Sequence, residues 1–277
     1  MPALHTIEIK PLPLWMNIRC LLGDHSWALS EAPEGLCAKA QLERKEASLI
    51  QARLRGLGFN GHDLDVTVSP KIPRPWVREA RTMEARARRD RTPGFETPGV
   101  KLDEEGKYSL TPESLALMMG QAAKGKKVLD AGCGAGGNTI GFARAGCDVL
   151  AVESSEDRLN LARHNAHVFG VQSKIDFLCH DVTEVLEDYE YNILFVDPPW
   201  GREYDRKSVR LSDLPLLESI LSLPLSPEEI WLKLPPSFCI DSLPAEPESI
   251  SAVFGNADGD RHRVKFIWVR LVCPPRI

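Results

Sequence analysis

Paired cysteines, long apolar runs, internal repeats and low-complexity tracts are all missing from this sequence, and each absence removes a class of protein. The seven cysteines (Cys20, Cys37, Cys133, Cys147, Cys179, Cys239 and Cys273) are scattered and never form a C-x-x-C pair. That argues against a disulfide framework and against a zinc site, and no metal is implied. No apolar run approaches the roughly 18 to 20 residues that span a bilayer, and "MPALHTIEIKPLPLW" at the start has no basic region followed by an apolar one. The expectation is a soluble protein of a reducing, intracellular compartment, cytoplasmic or, in a eukaryote, nuclear. An overall basic excess is missing too: net charge is −5 over 277 residues, which speaks against a protein that coats nucleic acid. The charge is unevenly spread, however. Lys71 to Lys101 holds nine Lys or Arg against four Asp or Glu, and such a segment is either a solvated helix face or a phosphate-contacting surface.

With 43% hydrophobic residues, the chain can bury one full core and a smaller annex. Residues 1 to about 95 are of mixed character: a helical pattern over Ala38 to Leu57, a strand-like "LDVTVSP", and the Arg-rich segment, broken by Pro70, Pro73 and Pro75. They are expected to form an N-terminal extension or small substrate-binding domain, with the main domain over 96–277. From Lys126 onward, short apolar runs alternate with helical stretches: "KKVLDAGCG", "NTIGFARAG", "CDVLAVES", "SEDRLNLARHNAHVFG", "KIDFLCHD" and "YNILFVDPP". Such alternation implies βαβ units and a doubly wound, Rossmann-like α/β sheet, mostly parallel. Near the end, "EIWLKLP" and "HRVKFIWVRLV" lie close enough to pair antiparallel at an edge.

"DAGCGAGG" (Asp130 to Gly137) stands at the carboxyl end of the first of these strands. A glycine-rich strand-to-helix turn lets a ligand approach the backbone beside a positive helix end. Glu153 closes the next strand about 20 residues on, where a carboxylate can accept both hydroxyls of a ribose. The acid at the start of the turn discriminates: Asp130 repels a pyrophosphate but favours the ammonium and sulfonium of S-adenosylmethionine. Asp181, after the third strand, can bond an adenine amine. Three acids at the ends of three successive strands converge on the crevice where the strand order reverses.

The fourth strand ends in "DPPWG" (Asp197 to Gly201) beside that crevice. An exocyclic base amine is a poor nucleophile because its lone pair is delocalised into the ring. The side chain of Asp197 and the carbonyl of Pro198 can each accept an N–H, drawing the nitrogen toward tetrahedral geometry. The two prolines hold that carbonyl rigidly, and Trp200 supplies a stacking face worth about 1 to 3 kcal/mol per base. Upstream, Ser109 to Glu113 reads as a helix start, with Thr111 as N-cap and Pro112 at the first helical position.

These residues resemble the trimethylguanosine synthases, class I methyltransferases that act on N2 of the 7-methylguanosine RNA cap. The resemblance covers Phe95 to about Gly201, in "GVKLDEEGKYSLTPE", "VLDAGCGAGGNTIGFARAGCDVLAVE" with "RLNLARHNAHVFGVQSKIDFLCHD", and "DPPWG". It implies that Thr111 and Pro112 close over S-adenosylmethionine and that Asp130, Gly132, Gly134, Glu153 and Asp181 bind it. Asn138 would lie by its methionine end, and Trp200 would stack on the guanine. The eukaryotic form of the family has serine in place of Asp197 and a second glycine in place of Arg202, which leaves the substrate open. The reading is methylation of guanine N2 in RNA, in a cap or at an internal position, with the basic segment a candidate RNA contact. The alternatives are a small molecule or a protein amide as substrate, or a binding module without turnover.

Overall fold

Residues 4–225 and 227–273 are described by a computed structural model of the chain. At the amino end, alternate burial builds a sheet. Strand β1 (Leu4–Leu12) buries Ile7, Ile9 and Leu12 and is flanked by β3 (Gly35–Glu43), with β2 (Ala28–Ala32) outside it. Helix α1 (Ile18–Leu22) fills the β1–β2 connection, capped by Asn17, whose side chain accepts from the Cys20 N–H. Helix α2 (Arg44–Leu54) and the small hairpin β4 (Gly58–Phe59) and β5 (His62–Asp63) lead to β6 (Asp65–Ser69), the "LDVTVSP" strand, which joins β1 from the other side. The four-stranded order is β2-β3-β1-β6. Helix α3 (Arg74–Ala87) then packs on α2.

The helix expected over Ala38 to Leu57 is confined to Arg44–Leu54. Ala38, Ala40 and Leu42 are buried while Lys39, Gln41 and Glu43 are exposed, a period of two, and they face Ile9, Ile7 and His5 across the ladder with β1. The helix-favouring composition of "AKAQLE" is overridden by this pairing, since strand preference is set by the surface a segment packs on.

The second sheet has seven strands: β7 (Lys127–Ala131), β8 (Asp148–Glu153), β9 (Ile175–Cys179), β10 (Ile193–Val196), β11 (Glu229–Leu234), β12 (Ser249–Phe254) and β13 (Val264–Val272). Before it come α4 (Gly106–Ser109) and α5 (Glu113–Ala122); between its strands lie α6 (Gly137–Arg144), α7 (Glu156–Val168), α8 (Val182–Val185) and α9 (Pro215–Leu221). The order is β12-β13-β11-β10-β7-β8-β9, and β13 pairs antiparallel with β11, as the sequence suggests. A further strand, β12, lies outside β13 at the edge; its short "SISAVF" (Ser249–Phe254) carries only a three-residue apolar run at its end. The chain winds outward from β7 to β9 and then crosses back to β10, so the reversal falls between β7 and β10.

β10 shows why its sequence is an unbroken apolar run. Ile193 and Phe195 enter one core with Phe142, Leu159 and Trp231, while Leu194 and Val196 enter the opposite core with Leu217, Val152 and Ile267. A parallel strand covered on both faces has no polar side to show, and each fully buried side chain of this size contributes about 1.5–3 kcal/mol. A third core lies in the N-terminal sheet and draws in Ala252 and Phe254 of β12 and Val264 of β13. Among the described residues no helix is long and apolar enough to cross a membrane, and the cysteines are free.

Candidate active site

The carboxyl ends of β7, β8 and β10 open into one cleft of about 380 Å³, within the range that holds a small ligand. Thr111, Gly132, Gly134, Asn138, Glu153, Asp181, Asp197, Pro198 and Trp200 all line it. Asp130 stands just behind the glycine turn, outside the lining.

The turn is built around its acids. Gly134 has φ +54°, a left-handed backbone that favours glycine, and it sits beneath the Arg158 guanidinium. Glu153, buried at the end of β8, accepts from the Gly134 N–H at 2.9 Å and from the Ser155 N–H at 3.0 Å. Each carboxylate oxygen keeps a further lone pair for a ligand hydroxyl. Asp181 accepts at Oδ1 from the Thr183 N–H and hydroxyl, at 2.9 and 2.7 Å, and caps α8. Those bonds hold its carboxyl below the usual range and engage Oδ1 alone.

Asp130 is fully buried and accepts from the Thr139 hydroxyl at 2.5 Å, with Oδ1 unpartnered. Burial pushes its pKa from 3.8 up to about 7; the Thr139 bond opposes that rise, and the neighbouring charges of Asp197 and Glu153 add to it. Thr111 does not cap α5. Pro112 takes the N-cap position with extended backbone, and no side chain caps the helix. The Thr111 hydroxyl is therefore left buried and unpartnered against the cleft, as is Asn138 Oδ1.

Asp197 follows the last residue of β10, and here the structure adds a partner not read from the sequence. Val196 pairs with Leu232 of β11, so the next residue of β11, Lys233, lies beside Asp197. Its ammonium reaches Asp197 Oδ2 at 2.6 Å with only 3% of the residue exposed. Asn138 Nδ2 donates to the same oxygen at 2.9 Å. The ammonium also sits 4.9 Å from the centroid of the Trp200 ring. A lysine inside the otherwise apolar "IWLKL" was the one signal available for this residue.

The mouth of the cleft is shaped by residues 99–110, which run along α7. Lys101 N–H donates to Asn165 Oδ1 at 2.8 Å, and Arg158 pairs with Asp103 and Glu105 at 3.4 and 3.3 Å. Tyr108 at the end of this strap receives Arg202 from the "DPPWG" side, 5.9 Å from its ring centroid. Arg202, Tyr108 and Arg158 thus join the lining.

Residues 125–251, from the approach to β7 into β12, match the family described as RNA cap guanine-N2 methyltransferase. The trimethylguanosine synthase of Schizosaccharomyces pombe is 32% identical over 42% of this chain and 53% of its own length. That of Saccharomyces cerevisiae is 29% identical over 42% of this chain and 40% of its own. The chain thus spans about half the length of the curated relatives it matches. The crystal structure of a "possible methylase" from Clostridium difficile 630 superposes with a TM-score of 0.50 at 12% identity, covering 99% of this chain and 100% of that one. The resemblance to the trimethylguanosine synthases and the doubly wound methyltransferase fold are both established by these matches.

Proposed function

We propose that the chain is an S-adenosylmethionine-dependent N-methyltransferase acting on the exocyclic N2 of guanine in RNA, at a cap-type 7-methylguanosine or an internal guanosine. The observation that carries this reading is that Asp197, Pro198 and Trp200 share one cleft with the glycine turn and with Glu153. The lining fits the cofactor chemically. Unpartnered oxygens on Thr111 and Asn138, with the carboxylates of Glu153 and Asp181 in the lining and Asp130 just behind it, suit a ligand rich in hydroxyls, amines and positive charge, and disfavour a phosphate. Asn138 would lie by the methionine end, with Asp130 acting on its positive charge from behind the turn, while Glu153 would hold the ribose and Asp181 the adenine. When bound, S-adenosylmethionine supplies an electrophilic methyl group.

The chain's own residues prepare the amine. Asp197 is fixed by Lys233 and Asn138 through Oδ2, which leaves Oδ1 to accept one N–H of the guanine amine, and the carbonyl of Pro198 takes the other. With its carboxylate already paired, Asp197 orients the amine; the proton leaves readily once the nitrogen is methylated. Trp200 offers the base the ring face away from Lys233.

Labelled methyl transfer to a cap analogue, to RNA and to protein tests the reading. Label is expected on guanine N2, and label only in protein would refute it. Trp200→Ala should lower kcat/KM for the guanine substrate by one to two orders of magnitude, from about 1 to 3 kcal/mol of lost stacking, with S-adenosylhomocysteine affinity unchanged by calorimetry.

A further inference from the structure

We propose that the outer face of α3 binds the RNA backbone, an inference that rests on the RNA reading above. Arg74, Arg78, Arg81 and Arg88 fall at i, i+4, i+7 and i+14, a single stripe along α3 and onto its C-cap, with Arg86 about a third of a turn round the helix and Arg89 just beyond the C-cap. The inward-packing side, through Val77, Ala80, Glu84 and Ala87, adjoins this stripe about a quarter turn round the helix and leaves it exposed. All six arginines are exposed, and among the described residues none has a carboxylate at ion-pair distance; the inward acid Glu84 is taken by Arg263. Like charges three and four residues apart oppose helix formation by a few tenths of a kcal/mol per pair. The fold draws nothing from this row, whereas a ligand with regularly spaced negative charge would.

The position of α3 joins this row to the cleft. β12 runs antiparallel to β13, and β13 antiparallel to β11. β12 therefore points the same way as β10, and its carboxyl end at Phe254 lies on the rim that carries the cleft. The loop after Phe254 grips the end of α3. Thr92 N–H and hydroxyl donate to the two oxygens of Asp260 at 2.8 and 2.9 Å, and the Asn256 N–H donates to the Thr92 hydroxyl at 2.7 Å. Gly259 approaches so closely that a Cβ there would lie 1.8 Å from the Asp90 carbonyl oxygen. The β4–β5 hairpin meets the same rim, with the Gly58 N–H donating to the Arg206 carbonyl at 3.3 Å just beyond the "DPPWG" turn. A helix of this length extends about 20 Å, enough to engage several consecutive phosphates of a strand whose guanine sits in the cleft.

The test measures the Kd of the full chain for a labelled guanine-containing single-stranded RNA across a salt series. Arg74→Gln/Arg78→Gln/Arg81→Gln should weaken binding on the order of tenfold at about 0.1 M salt and reduce the log–log salt slope by about two. S-adenosylhomocysteine affinity should stay unchanged. The corresponding Arg→Lys triple variant should keep the slope, and Lys124→Gln, ahead of β7 at the opposite rim, should behave as the wild type. Unaltered affinity and slope in the Gln variant would overturn the proposal, as would an equal loss in the Lys variant. If the track behaves as expected but the wild type puts no methyl on guanine, the function proposed above fails and the RNA surface stands.

Discussion

Asp197 and Lys233 form the most consequential pair in the molecule. An ammonium with 3% exposure is tolerable only because a carboxylate and two aromatic faces, those of Trp200 and Phe266, compensate for lost water. Lys233→Met leaves Asp197 without its cation and should lower stability by about 3–5 kcal/mol, read as a fall in urea midpoint. Adding Asp197→Asn should restore most of that loss while methyl transfer stays low; a double variant no more stable than the single would show that the two charges do not act as a pair. Asp197 was plain in the sequence because "DPPW" is local, and Lys233 was not. Its partner lies 36 residues away, joined only through the β10–β11 register.

At the scale of elements, the strap over residues 99–110 is the part that closes the cleft. Val100 and Leu110 at its two ends pack against the core, and between them it is held by point contacts: Asp103 accepts from the Gly106 N–H at 2.7 Å and pairs with Arg158. Asp103→Ala should therefore weaken S-adenosylhomocysteine binding several-fold by calorimetry with little change in Tm, since the large cores lie elsewhere. The βαβ alternation was legible because parallel strands and amphipathic helices each carry a repeating pattern. The ends of elements were less so. Thr111 reads as an N-cap from its neighbours, yet Pro112 takes that place and the hydroxyl turns to the cleft, an outcome that depends on what packs over the helix. Ala38 to Glu43 misleads similarly, because pairing with β1 outweighs local helix preference.

For the whole molecule, Asp130 couples stability to pH. Its native pKa of about 7, against 3.8 for the ordinary group, means the folded chain holds this proton more tightly than the unfolded one. Its contribution to stability falls as pH rises from about 4 to about 7 and is flat above that. Asp130→Asn should remove this part of the slope in urea unfolding at pH 5 and pH 8. Binding of cationic S-adenosylmethionine should run the other way in the wild type, tightening from pH 6 to pH 8 as Asp130 ionises, and the Asn variant should lose that trend. The contact of Phe254 and Val264 with the N-terminal core bears on how the chain can be divided. β12 is the last strand of the larger sheet, and an uncovered outer strand invites edge-to-edge association with other molecules. The N-terminal core thus covers apolar side chains at the border of the larger sheet, and a fragment trimmed of the N-terminal sheet would be expected to aggregate even with its cleft intact.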